Sequence, residues 1–103
     1  MKIYCGTDII EVERVKKAIL STPGFKEKVF TPLEIEYADK KSDVTRYIHY
    51  AGRFAAKEAV FKALSNNVNA PNEWKSIEII SGETGRPKVI LKINKILIIG
   101  RRN

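Results

Sequence analysis

Ala51-Gly52-Arg53-Phe54-Ala55-Ala56-Lys57-Glu58-Ala59-Val60-Phe61-Lys62-Ala63-Leu64 is the stretch on which the fold turns. Alanines and long unbranched side chains favour a helix, and Phe54, Phe61 and Leu64 supply core contacts. Glu58 and Lys62 lie four apart, so their side chains meet on one face, with Phe54 one turn earlier on that face. Arg53 and Lys57 form a cationic pair at the same spacing. A carboxylate among cations therefore runs along a face expected to be apolar. One reading is a solvated helix whose Glu-to-Lys pair contributes about 0.2–0.5 kcal/mol. The other is a metal-binding carboxylate beside a phosphate-binding ammonium. On this segment alone the solvated helix is the simpler account.

A second stretch shifts that balance. Ile3-Tyr4-Cys5-Gly6-Thr7-Asp8-Ile9-Ile10-Glu11-Val12-Glu13-Arg14-Val15 reads as a strand running into a helix. Asp8 then falls in or at the end of an apolar strand, where a lone charge is costly unless it is paired or bound to a metal. A helix cap is the alternative, because Asp is common at helix starts.

Together the two segments resemble the holo-acyl-carrier-protein synthase family, the small bacterial phosphopantetheinyl transferases. The resemblance is carried by Gly-Thr-Asp-Ile-Ile-Glu-Val-Glu-Arg at 6–14 and by Gly-Arg-Phe-Ala-Ala-Lys-Glu-Ala at 52–59. Phe30-Thr31-Pro32-Leu33-Glu34, Ile77-Glu78-Ile79 and Gly85-Arg86-Pro87 extend it over roughly the first nine-tenths of the chain. It implies transfer of 4′-phosphopantetheine from coenzyme A to a serine of apo acyl carrier protein in fatty acid biosynthesis, with adenosine 3′,5′-bisphosphate released.

The implied cofactor is magnesium, a hard ion that takes a few carboxylates plus phosphate oxygens and waters. Its implied ligands are Asp8 and Glu58, and Glu58 and Lys62 are the implied catalytic residues, Lys62 offsetting pyrophosphate charge. Arg53, Lys57, Lys62, Gly85, Arg86 and Pro87 are implied contacts to coenzyme A, a plain hairpin being the alternative for the last three. Arg14, with Lys16 and Lys17 beside it, matches a position facing the acidic carrier protein. No residue is assigned as general base; a water held by the metal or oriented by Glu58 is the candidate. The family resemblance also implies a homotrimer with sites at subunit boundaries.

At 103 residues the chain reads as one domain with a limited core. A hydrophobic content of 44% is that of a folded globular protein, which argues against disorder. No apolar run reaches transmembrane length and no signal-peptide pattern opens the chain, so the cytoplasm is the expected address. Cys5 is the single cysteine, which excludes an internal disulfide, and His49 is the single histidine, which excludes a His-rich zinc site. A net charge of +7 calls for an acidic partner. No aromatic-basic strand pair of the kind that stacks nucleic-acid bases accompanies it, so nucleic acid is not the expected partner.

Residues 2–10 read as a strand and 12–20 as a helix burying Val12, Val15, Ile19 and Leu20, with Glu13, Arg14, Lys16 and Lys17 outward. Ser21-Thr22-Pro23-Gly24 breaks it. Thr31 and Glu34 have capping-box spacing with Pro32 at the first helical position, which explains both polar residues without catalysis. The long helix spans about 45–65, Trp74 to Ile80 alternates as a strand, 81–86 is a hairpin turn, and Pro87 opens a return strand. The expected fold is α+β, a single small domain with an antiparallel sheet packed against the long helix.

The C-terminal segment departs from the resemblance. A Ser-His motif is expected on the strand after the Gly-Arg-Pro turn, and Lys92-Ile93-Asn94-Lys95 stands there instead. The expectation is a shortened sheet, with Ile96-Leu97-Ile98-Ile99 needing a strand neighbour or associating through an exposed edge. A non-catalytic relative that binds coenzyme A or carrier protein is the alternative this motivates. A basic nucleic-acid-binding module, resting on charge alone, is a more distant one.

Overall fold

The computed structural model describes residues 8–65, 73–81, 86–93 and 96–100. Its first helix, α1 (Ile9–Ser21), begins where Asp8 caps it: the Asp8 side chain accepts from the Glu11 N–H at 2.9 Å. Gly24 follows at φ 82°, a left-handed conformation that suits glycine, and opens α2 (Phe25–Val29). Thr31 and Glu34 then close a full capping box over α3 (Pro32–Asp39), with Pro32 at the first turn. Ser42 caps α4 (Asp43–Ala63), and Arg46 in its first turn donates to the Asp39 and Lys41 carbonyls, both at 3.2 Å, fixing the entry of the chain.

A 3₁₀ turn at Trp74–Ser76 leads into β1 (Ile77–Ser81), followed by β2 (Pro87–Ile93) and β3 (Ile96–Gly100). The three strands form an antiparallel sheet in the order β1-β2-β3, with Ile79 opposite Val89 and Leu91 opposite Ile98. The fold is therefore α+β. Val15, Val29, Phe30, Ala38, Tyr47, Tyr50 and Ala51 form the buried core between the helices, with the Phe30 and Tyr50 rings 4.8 Å apart. Ile77 and Ile79 of β1 are buried too. Transfer free energy of about 25 cal/mol per Å² of apolar surface makes such burial the main driving term.

Several expectations need correction. Ile9 and Ile10 are not strand residues: the Asp8 cap starts the helix there, leaving them 75% and 66% exposed. Residues 2–7 of the expected strand, with Cys5, lie outside the described residues. Leu20 faces outward rather than into the core. Residues 74–76 are a 3₁₀ turn, closed by the Ser76 N–H donating to the Glu73 carbonyl at 3.1 Å, so the strand begins only at Ile77. Residues 82–85 lie outside the described residues, but the pairing of Ser81 with Pro87 is that of a hairpin. The apolar run at 96–99 has the strand neighbour it requires, since it pairs with β2.

Thr31 does more than cap. Its hydroxyl donates to the Glu78 carboxylate on β1, so the start of α3 is tied to the sheet. Thr31→Val should therefore lower the unfolding free energy by about 2 kcal/mol, the cap being lost and the buried Glu78 carboxylate losing its donor together. Urea denaturation measures this, and an unchanged midpoint would contradict the assignment.

Candidate active site

Arg53 and Lys57, one turn apart on α4, point into the protein rather than to solvent. The Lys57 side chain is 0% exposed and pairs at 2.8 Å with Glu34, itself 1% exposed. Its ammonium also donates to the carbonyls of Val29 at 2.8 Å, Trp74 at 3.1 Å and Ile77 at 2.6 Å. One cation thus joins α4 to the end of α2, to α3, to the 3₁₀ turn and to β1. Burial pulls the Lys57 ammonium down from the usual lysine range, and the Glu34 and Glu78 carboxylates push it back. Glu34 completes the junction, accepting from Thr31 N–H at 2.8 Å and from Ile79 N–H at 2.7 Å. Removing one member of a buried pair of this kind costs about 3–5 kcal/mol, because the other charge is stranded.

Lys57 was expected to contact coenzyme A. Its four partners engage it inside the protein instead, so that expectation is withdrawn. The cause is the helix period: residues 53 and 57 share a face about 100° from the one carrying 54, 58 and 62. The inward stripe, not the outward one, holds the unexpected charge. Phe54 straddles the two, packing on Phe25 and Trp74 at centroid distances of 6.2 and 5.0 Å.

Glu58 and Lys62 are exposed, and so is Asp8. Asp8 caps α1, whose first turns meet the N-terminal end of α4, with Ile9 and Val12 lining one cavity with Asp43, Val44 and Tyr47, whereas Glu58 stands in the C-terminal half of α4. One Asp8 oxygen is engaged as the helix cap, which realises the cap alternative. Exposed carboxylates such as these are the donor type that a hard divalent cation takes while keeping several of its waters. Among the described residues no group of three or more His, Cys, Asp or Glu side chains gathers, so an all-protein cage is not on offer. Carboxylate oxygens are the donor type magnesium takes.

A cleft of about 250 Å³ opens between α3, α4 and the end of β1, lined among others by Tyr37, Lys40, His49, Arg53 and Ser81. Arg53 lies at 3% exposure and donates to Ser81 Oγ at 3.0 Å. Burial lowers its pKa, opposed by Glu34 and Tyr37. Ser81 pairs with Pro87 across the hairpin, and Arg86 and Pro87 are exposed beside it. The fold thus brings Arg53 to the strand end that carries Arg86 and Pro87, whereas Gly85 lies outside the described residues.

The basic trio on α1 divides. Arg14 and Lys17 are exposed, Arg14 pairing with Glu11 at 2.9 Å. Lys16 is half-buried with its ammonium 5.4 Å from the Tyr47 ring centre, on the side that meets α4. The grouping of all three on one outward face is corrected accordingly, the helix period separating 16 from 14 by about 200°.

Glu34, Glu78 and Ser81 were not singled out from the sequence as partners of buried cations. The available signal was Glu78 itself, a carboxylate inside Ile77-Glu78-Ile79-Ile80 that must find a partner when the strand is buried.

The α+β domain agrees with what comparison with known proteins gives. Residues 4–99 match the family described as the 4′-phosphopantetheinyl transferase superfamily. The chain is 46% identical over 92 residues to a holo-acyl-carrier-protein synthase of Caldanaerobacter subterraneus, covering 89% of this chain and 70% of that one. It is 44% identical over 102 residues to a synthase of the same name from Clostridium perfringens, covering 99% of this chain and 74% of the relative. A Thermoanaerobacter relative of that name is 46% identical, with 64% of its length covered. The chain spans about 64–78% of the length of the curated relatives it matches. No solved structure matches it. The chain belongs to the 4′-phosphopantetheinyl transferase superfamily, in its holo-acyl-carrier-protein synthase family. Among the described residues no helix is long and apolar enough to cross a membrane.

His49 gives a pH test of the cleft. Its ring lies 4.8 Å from that of Tyr37, and burial, with Arg53 and Lys41 adding to it, pulls its pKa down from 6.5 to about 4. The unfolded chain then binds a proton that the folded chain refuses between these values, so stability falls as pH drops from about 6.5 towards 4. His49→Phe should flatten that fall in a melting-temperature series. A parallel pH profile in the variant would contradict the placement.

Proposed function

We propose that this chain transfers 4′-phosphopantetheine from coenzyme A to a serine hydroxyl of apo acyl carrier protein, releasing adenosine 3′,5′-bisphosphate, as an activation step of fatty acid biosynthesis. The observation that carries this reading is the outward stripe of Glu58 and Lys62 on a helix held by inward Arg53 and Lys57. An outward carboxylate and ammonium one turn apart are also what a phosphoryl-transfer site presents to its substrate, and the family to which the chain belongs favours that use over a solvated Glu–Lys pair.

In the reaction the serine oxygen bonds to the phosphorus bearing pantetheine, and the pyrophosphate P–O bond to the adenosine bisphosphate breaks. Negative charge grows on the phosphate oxygens and on the leaving group. Lys62, exposed one turn beyond Glu58, offsets it. Asp8 and Glu58 would hold a magnesium ion, which when bound would neutralise pyrophosphate charge. The hydroxyl proton leaves to a water that Glu58 orients. Arg53 at the cleft floor, with Gly85, Arg86 and Pro87 at the hairpin, serves the nucleotide end of coenzyme A. Arg14 and Lys17 on α1 meet the acidic carrier protein, and their charge steers its approach. Lys16 adds its charge from beside Tyr47. A homotrimer in the cytoplasm is part of the same reading.

Incubation with coenzyme A, magnesium and apo carrier protein, followed by the intact mass of the carrier, tests it. The carrier should gain one phosphopantetheine, and Asp8→Asn and Glu58→Gln should each slow that gain by about 10²-fold or more. A carrier of unchanged mass, with coenzyme A still bound, would leave a binding relative instead of an enzyme. Arg14→Glu should weaken carrier association and reduce its dependence on salt, with coenzyme A affinity unaltered. Equal carrier affinity at low salt would remove Arg14 from the interface.

A further inference from the structure

Lys57 and Glu58 are neighbours on α4, about 1.5 Å apart along the axis and about 100° apart around it. One is sealed in the protein and the other meets solvent. The contacts of Lys57 are directional: its ammonium has three donors, met by the Val29, Trp74 and Ile77 carbonyls and the Glu34 carboxylate. Apolar packing is non-directional and leaves a helix some freedom to roll. An ammonium seated among four oxygens from four elements leaves it very little. Arg53, donating to Ser81 one turn earlier, supplies a second fixed point, and two points define both the roll and the axial position of the helix.

The geometry points to the Glu34–Lys57 pair as the positioning device for the cation-binding carboxylate: by fixing the roll of α4 it sets the direction in which Glu58 leaves the helix. Glu34 is suited to this because it is itself fixed, by Thr31 N–H from its own cap and by Ile79 N–H from β1. The inference rests on the reading of Glu58 as a ligand of the divalent ion and assigns Lys57 and Glu34 no contact with substrate. Side chains that orient a ligand in this indirect way typically govern metal affinity by about 10–100-fold.

Charge and position predict opposite outcomes, which makes the test sharp. Lys57→Met keeps the length of the stem and removes a positive charge next to Glu58, so Coulomb's law alone predicts tighter cation binding. Loss of positioning predicts weaker binding. Mn²⁺ serves as the probe, titrated by electron paramagnetic resonance with coenzyme A held saturating, at a temperature where each variant keeps the wild-type circular dichroism. Lys57→Met should bind Mn²⁺ about tenfold more weakly, and its kcat should fall more than its KM for coenzyme A rises. Glu34→Gln combined with Lys57→Met leaves no stranded charge and the net charge of the protein intact. It decides the matter if the single variant does not fold, and it too should lose about tenfold in affinity. Unchanged or tighter Mn²⁺ binding in a folded variant would overturn the inference and leave the pair a purely structural junction. Glu58→Gln is the control. Loss of binding there, with no change in the pair variants, sinks only this inference. Equal binding in wild type and Glu58→Gln sinks the ligand reading and this inference with it.

Discussion

The ammonium of Lys57 is the point to which the rest of the structure is fastened. It is fully buried, and a buried cation is tolerable only where its donors are met and its charge is opposed. Meeting that condition requires the end of α2, the start of β1 and the 3₁₀ turn to present carbonyls at one place, and α3 to present Glu34. Glu34 in turn can stand there because Thr31 and Ile79 hold it. Thr31 extends the chain of bonds to Glu78, and Glu78 lies 3.7 Å from Lys92 on β2. A single polar path thus runs from the long helix through α3 into the sheet. Apolar burial stabilises the fold, and this path selects how the layers sit.

Function follows from what that fastening leaves outside. With Arg53 and Lys57 turned inward, the helix period turns Glu58 and Lys62 outward along one stripe. Arg53 meets Ser81 at the strand end beside Arg86 and Pro87, so the same helix reaches the hairpin end at one turn and the solvent-facing carboxylate at the next. A net charge of +7 suits a protein whose partners are acidic.

Much of the fold was legible in the sequence because it rests on local signals. The capping box at Thr31 and Glu34, the alanine-rich helix around Lys57 and the hairpin strands on either side of residues 82–85 each depend on neighbouring residues and are present, the first strand starting three residues later than its alternation suggests. The buried network was not legible, because its partners are far apart in the chain. Capping alone accounts for Glu34 in the sequence, while its second oxygen accepts from Ile79 N–H, far along the chain. The sequence pattern sets both charged stripes of α4 outward, since a pattern of charges reads as solvent-facing until a partner is known, and the structure turns Arg53 and Lys57 inward. Helix α2 has only five residues, too few to show a period. At Asp8 two accounts competed, and the cap prevailed because a side-chain oxygen three residues before an available N–H needs no distant partner.

A double-mutant cycle on Glu34→Gln and Lys57→Met, read by urea denaturation, tests most directly whether this pair organises the protein. Each single change leaves a buried group without its partner, and the second change relieves much of what the first imposed. The account predicts that the double variant is more stable than the sum of the singles implies, by about 2 kcal/mol or more. Additivity to within about 0.5 kcal/mol would mean that the two charges act independently, and the pair would not hold the place given to it here.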